Sequence, residues 1–212
     1  MVIQYLGKQF FKITLGNLTL ALNPLSQKSK SGLKPARFGA DIALISLKHP
    51  DFDGISGVSF GEKEPFIIDG PGEYEVEGVF IKGFLNPVEY DGKKKINTIY
   101  TLSLEGMNLC FLGALGEAAL PSLTREAIGD VDVLFVPIGG GDVLDPSSAH
   151  KFSRSFNPKI VIPMDYEGDK SKELKKFEEE AGDKGAQGVA KLTLRKKDLE
   201  GKEGEVVVLK SS

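Results

Sequence analysis

The stretch ADIALISLKHPDFDGISGV, residues 40–58, decides how the chain is read. It opens with Ile42, Ala43, Leu44 and Ile45, a continuous apolar run with the length of a buried strand. The run breaks at Ser46 into a loop holding His49, one of only two histidines in the chain, with Asp51 and Asp53. A histidine and an aspartate two residues apart, just past a buried strand, stand where α/β proteins place metal ligands or acid/base groups. The function turns on whether this loop still holds a metal.

Upstream, the pattern predicts short strands over 3–6, 12–15 and 18–22, the last two joined by a hairpin turn at Gly16-Asn17. Residues 24–39 are polar, basic and broken by Gly and Pro, so they read as a loop. Lys28, Lys30, Lys34 and Arg37 in it are either solvated or an anion contact. Downstream, hairpins are predicted over 74–81, turning at Glu77-Gly78, and over 97–112, turning at Glu105-Gly106. The segment between them, NPVEYDGKKK (86–95), reads as a loop with a solvated lysine run, Lys93 to Lys95. The pattern then changes to β-α alternation. A helix is predicted over 121–128, a buried strand over 131–138, and a helix after Asp145-Pro146. A second buried strand covers 159–164 and an amphipathic helix 171–181. Closing strands are expected over 191–194 and 205–209, across a charged turn. Two mixed sheets with helices on their outer faces satisfy this order, an α/β class.

A chain of 212 residues can bury a sizeable core, and no repeat or linker divides it, so one domain over 1–212 is expected. With 27 Lys+Arg against 30 Asp+Glu the net charge is −3, which argues against bulk nucleic-acid binding. The single cysteine, Cys110, excludes a disulfide framework and reads as a buried strand residue. The opening MVIQYLGKQFF lacks the features of a signal peptide, and no apolar run reaches membrane-spanning length. A cytoplasmic protein with no membrane partner is therefore expected.

Several segments in order resemble the metallo-β-lactamase fold superfamily, and within it the branch of L-ascorbate-6-phosphate lactonase-like proteins. They are Tyr5-Leu6-Gly7, SGLKPARFGADIALIS, IIDGPGEYEVEGVFIKG, NTIYTLSLEG, FLGALGE, GDVDVLFVPIGGG and PKIVIPMDY. The resemblance implies a four-layer αββα sandwich with its active site at one edge, between the sheets. It also implies one or two metal ions, usually zinc or manganese, that hydrolyse lactones, phosphodiesters or other esters. Imidazoles and carboxylates hold such a metal and leave a position for an activated water.

Carried over without a gap from ADIALIS, the loop's first histidine falls on Leu47 and its second on His49. The aspartate falls on Asp51 and the closing histidine on Phe52. A later histidine falls near Val88, the bridging aspartate on Ala114, and the final histidine on Asp165. A register shifted by two pairs His49, Asp51, Asp53 and Gly54 with the loop instead. Either way ligands are lost. His150, the second histidine, falls on the polar side of its predicted helix and reads as a surface residue. With so little imidazole, a superfamily-type zinc site cannot be assembled. Lys8 falls where the family has a histidine close to the metal. Either its ammonium, with a protonated His49, neutralises the carboxylates left at the old site, or Lys8 and Asp165 are merely solvated in an open pocket.

The expected function is a non-hydrolytic ligand-binding or assembly module without cofactor, its partner an unknown small molecule or protein, with self-association open. The alternative is a metal-dependent hydrolase with a carboxylate-rich Mg, Mn or single-Zn site built from His49, Asp51 and Asp165, with Asp53 as a further donor. A third possibility is His49-Asp51 as a metal-free acid/base pair. Gly139, Gly140 and Gly141 either present backbone N–H groups to a phosphate or make room for a tight turn at the pocket rim.

Overall fold

Five short strands open the chain: β1 (Val2–Tyr5), β2 (Phe11–Leu15), β3 (Leu18–Leu22), β4 (Ile42–Leu44) and β5 (Phe66–Ile68). Hairpin strands follow as β6 (Gly72–Val76), β7 (Val79–Tyr90), β8 (Lys93–Leu104) and β9 (Met107–Phe111). The last part alternates: α1 (Ser122–Ile128), β10 (Val133–Pro137), α2 (Pro146–Arg154), β11 (Ile160–Met164) and α3 (Lys172–Ala181). β12 (Leu192–Thr193) and β13 (Glu205–Val206) complete it. This computed structural model describes residues 1–168, 170–182 and 188–211.

The strands form two mixed sheets, ordered β12-β1-β2-β3-β4-β5 and β13-β11-β10-β9-β8-β7-β6. Their inner faces share one core, in which the Phe11 ring lies 4.9 Å from both Tyr5 and Phe135. β10 and β11 are buried at every position, because each has parallel neighbours on both sides and helices lie over their outer face. α2 starts where the sequence signals it: the Asp145 carboxylate accepts the N–H groups of Ser147 and Ser148, with Pro146 in the first turn. On the first sheet the outer layer is made by the 24–39 loop and a 3-10 turn at Ile55–Gly57. They cover Phe10, Ala21 and Ala43 with Ala36, Phe38 and Ile55.

Two expectations need correction. The closing strands do not pair with each other: β12 joins β1 in the first sheet and β13 joins β11 in the second, with a 3-10 turn at Lys196–Leu199 between them. The segment 86–95 is not a loop but the end of the hairpin β7–β8. Its turn, Asp91-Gly92, has φ of 53° and 64°. Both left-handed values match a type I′ turn, for which Asp-Gly is a strong signal. This hairpin makes the site. Burial follows the odd residues Val79 and Ile81 early in β7, then the even residues Asn86 and Tyr90. The register to β8 is unbroken, so twist rather than a bulge turns the second face inward.

Candidate functional site

The turn after β1 carries Lys8 and Gln9, the loop after β4 carries residues 46–53, and Asp165 directly follows β11. Lys8 and Asp165 both have left-handed backbones, φ 56° and 64°. They are locked together: the Asp165 N–H donates to the Lys8 carbonyl at 2.5 Å, and Lys8 Nζ donates to Asp165 Oδ1 at 2.7 Å. Gln9 Nε2 donates to Asp165 Oδ2 at 2.8 Å, so both carboxylate oxygens are taken. The network runs on through Asn23, whose Nδ2 reaches Gln9 Oε1 and Ser46 Oγ and whose Oδ1 accepts the Ser46 N–H. Burial alone would lower the Lys8 pKa, but the Asp165 carboxylate outweighs it and holds the ammonium above its ordinary value.

Leu47, Phe52, Tyr90, Ala114 and Val143 pack beside this network as a separate buried cluster, with Val88 against it. Four of these six, Leu47, Phe52, Val88 and Ala114, are positions where the resemblance expects metal ligands. The scaffold brings them together as carbon. The Phe52 and Tyr90 rings meet edge to face at 5.4 Å, and His49 meets Tyr90 at 5.0 Å. Burial, with the Asp165 and Asp51 charges, keeps the Tyr90 phenol protonated far above its usual range.

The His49 and Asp51 side chains face each other without a hydrogen bond between them. His49 Nδ1 accepts the backbone N–H of Asp51 at 3.2 Å and lies 3.7 Å from the nearer carboxylate oxygen, beyond hydrogen-bond distance. Asp51 is engaged elsewhere, by the Ser29 hydroxyl at 2.5 Å and the Tyr90 hydroxyl at 3.5 Å. Asp53 is exposed and does not join the group, because the turn that binds its N–H to the His49 carbonyl points it outward. His150 is half-buried with its ring edge-on to Phe177. Gly139 is required by space, since a Cβ there would sit 2.4 Å from the Asp165 carbonyl. Gly140 and Gly141 have left-handed φ of 71° and 64°.

Two clefts flank the apolar cluster. A smaller one of about 310 Å³ opens over Lys8, Asp165, Tyr90, Gly139 and Gly140. Asp142, Glu167 and Glu173 also line it, so its charge opposes a phosphate at the glycine loop. A larger one of about 560 Å³ lies between the hairpin β7–β8 and the loop carrying Gly116 and Glu117, with Gly141 and Asp142 at its rim.

A metal needs open donor atoms, and this edge does not offer a set of them. The Asp165 oxygens are held by an ammonium and an amide, and the Asp51 oxygens by two hydroxyls. His49 Nδ1 faces a backbone N–H. Among the described residues no group of three or more His, Cys, Asp or Glu could hold an ion. The donor set therefore does not fit the zinc or manganese that the resemblance implies. Gln9, Asn23, Tyr90, Val143 and Asp142 were missed in the sequence. Only Tyr90 carried a signal, through the Asp-Gly turn beside it.

Replacing Asn23 with alanine should cost about 2 kcal/mol in urea unfolding, because it strands the buried Ser46 N–H. The left-handed φ of 47° adds to the loss, since alanine holds it less easily. A loss under about 0.5 kcal/mol would mean that the network re-pairs without it.

A family model described as a β-lactamase superfamily domain matches residues 2–165. A UPF0173 metal-dependent hydrolase of Thermococcus kodakarensis is 25% identical over 190 residues, covering 77% of this chain and 84% of the relative. A crystal structure from Thermotoga maritima, described as a candidate Zn-dependent hydrolase of the metallo-β-lactamase superfamily, superposes with a TM-score of 0.75 at 28% identity. It covers 98% of this chain and 97% of that one. The metallo hydrolase Igni18 of Ignicoccus hospitalis shares the fold at 18% identity, with a TM-score of 0.62 and coverage of 100% and 95%. No described helix is long and apolar enough to cross a membrane.

Proposed function

Because the chain belongs to the β-lactamase superfamily yet carries Leu47, Phe52, Val88 and Ala114 where the resemblance expects ligands, we propose that it is a non-hydrolytic ligand-binding or assembly module. The observation that carries this is the apolar cluster itself. Carbon fills the volume that a metal and its water would need. The Lys8 ammonium supplies the positive charge opposite Asp165 that a divalent ion would otherwise bring. The clefts on either side remain open to a small molecule.

The description of the relatives as metal-dependent hydrolases favours a second reading, that this chain is one too. Here it would require His49, Asp51 and Asp165 to leave their present partners and gather around a magnesium, manganese or zinc ion. The identities that support the transfer are 25% and 28%, and ligand residues can be lost at that distance while the fold is kept.

The test is hydrolysis of a lactone, a phosphodiester and a carboxylic ester with zinc, manganese or magnesium supplied in excess. The expected result is no turnover above that of the His49→Ala variant under any metal. Metal-dependent turnover that disappears in that variant would establish the second reading.

A further inference from the structure

All 30 Asp and Glu residues lie after residue 40. The side-chain charges before that point are all basic: Lys8, which is spent on Asp165, then Lys12, Lys28, Lys30, Lys34 and Arg37. These five form no ion pair with another described residue, and the last four are exposed. The first acid of the chain, Asp41, is matched by Lys63 at 2.7 Å. The fold gathers the five in one layer. The loop 24–39 covers the outer face of the first sheet through Ala36 and Phe38, and Lys12 joins it from β2, its Nζ 4.6 Å from the Phe38 centroid.

The loop is tied down where its lysines are densest. The Ser29 hydroxyl is bound to Asp51 and accepts the Ser31 N–H at 3.1 Å. Leu33 is 40% exposed between Lys30 and Lys34 and rests on Gly7, where a Cβ would meet its Cδ1 at 2.7 Å. The neighbouring acids sit at the margins. Asp51 is buried, Asp53 precedes Gly54, whose N–H bonds the Pro24 carbonyl at the loop's start, and Glu62 and Glu64 flank Lys63 beyond Phe60.

We propose that this basic layer docks on an anionic lipid membrane, with Lys28, Lys30, Lys34 and Arg37 among the headgroups and Leu33 at the acyl boundary. Like charges gathered without partners repel one another, and a surface of fixed negative charge relieves that. Each Lys or Arg close to such a surface strengthens binding roughly fivefold. With every acid after residue 40, the charge asymmetry turns this layer toward the membrane. An exposed leucine among cations adds an apolar contact that a water-soluble polyanion does not use. The rings here carry cations, Lys12 on Phe38 and Arg37 5.2 Å from the Phe60 centroid, so stacked bases would have to displace them. The loop lines neither cleft, as a peptide groove would. The expectation of no membrane partner rested on spanning length and a leader, and a peripheral contact needs neither. The layer uses no residue of the apolar cluster, so it stands under either reading of that site.

Vesicles made equally of phosphatidylglycerol and phosphatidylcholine should sediment the protein at about 0.1 M salt, and vesicles of phosphatidylcholine alone should leave it in solution. At about 1 M salt the Debye length falls from about 10 to about 3 Å, and the protein should be released. Lys28→Gln, Lys30→Gln and Lys34→Gln together, all at exposed positions, should weaken binding by roughly a hundredfold. Leu33→Gln should weaken it severalfold at unchanged charge. No binding to the anionic vesicles, equal binding to the neutral ones, undiminished binding in either variant, or tighter binding of duplex DNA or polyglutamate at equal charge would overturn the proposal.

Discussion

Phe52→Ala should lower the unfolding free energy by about 4 kcal/mol, the usual cost of removing a fully buried phenylalanine from a packed site. The ring is 0% exposed and braces Tyr90, which in turn places its hydroxyl on Asp51. The loss therefore includes the aromatic contact and the support of a buried carboxylate. Phe52→His, which restores the residue that the family pattern expects, should also destabilise, and added zinc should not recover the loss. Urea unfolding with and without zinc reads both. A cost under about 1 kcal/mol, or stabilisation of Phe52→His by zinc, would mean that the cluster is loose filling rather than core.

Lys8→Met should cost about 3 kcal/mol, because it leaves Asp165 buried with no cation. One-sided loss of a fully buried pair costs about 3–5 kcal/mol, and the Lys8 side chain is 27% exposed, so solvent screening favours the low end. Adding Asp165→Asn should restore part of it, since asparagine removes the charge and tolerates the left-handed backbone at that position. The pH dependence follows from the raised Lys8 pKa. A lysine whose folded value exceeds its unfolded one contributes fully below the ordinary 10.5, and the contribution fades as the pH rises through the folded value. The gap between wild type and Lys8→Met should thus be flat from neutral to moderately alkaline pH and shrink only above that. Equal stability at neutral pH would remove Lys8 from its place as the site's counter-charge.

Much of this was legible in the sequence, for identifiable reasons. Unbroken apolar runs at Val133–Pro137 and Ile160–Met164 signal parallel strands buried on both sides, and an Asp-Pro pair marks the start of α2. Leu47, Phe52, Val88 and Ala114 could be placed together because the family segments come in order around them. The rest depends on shape. Alternation along β7 cannot tell which face is inward once the ribbon twists, so Tyr90 and Asn86 were hidden in what looked like a loop. Gln9 and Asn23 find Asp165 and Ser46 only after distant turns converge, and no local pattern encodes that. Asp53 was misplaced for the converse reason: closeness in sequence to His49 says nothing about direction in a tight turn.

The most direct measurement is the metal content of the chain after incubation with zinc or manganese and removal of free ion, alongside His49→Ala and Asp165→Asn. Metal far below stoichiometric, alike in all three proteins and without effect on melting, is the result expected of a site closed by Leu47, Phe52 and the Lys8–Asp165 pair. A stoichiometric ion that raises the melting temperature and is lost in both variants would contradict it.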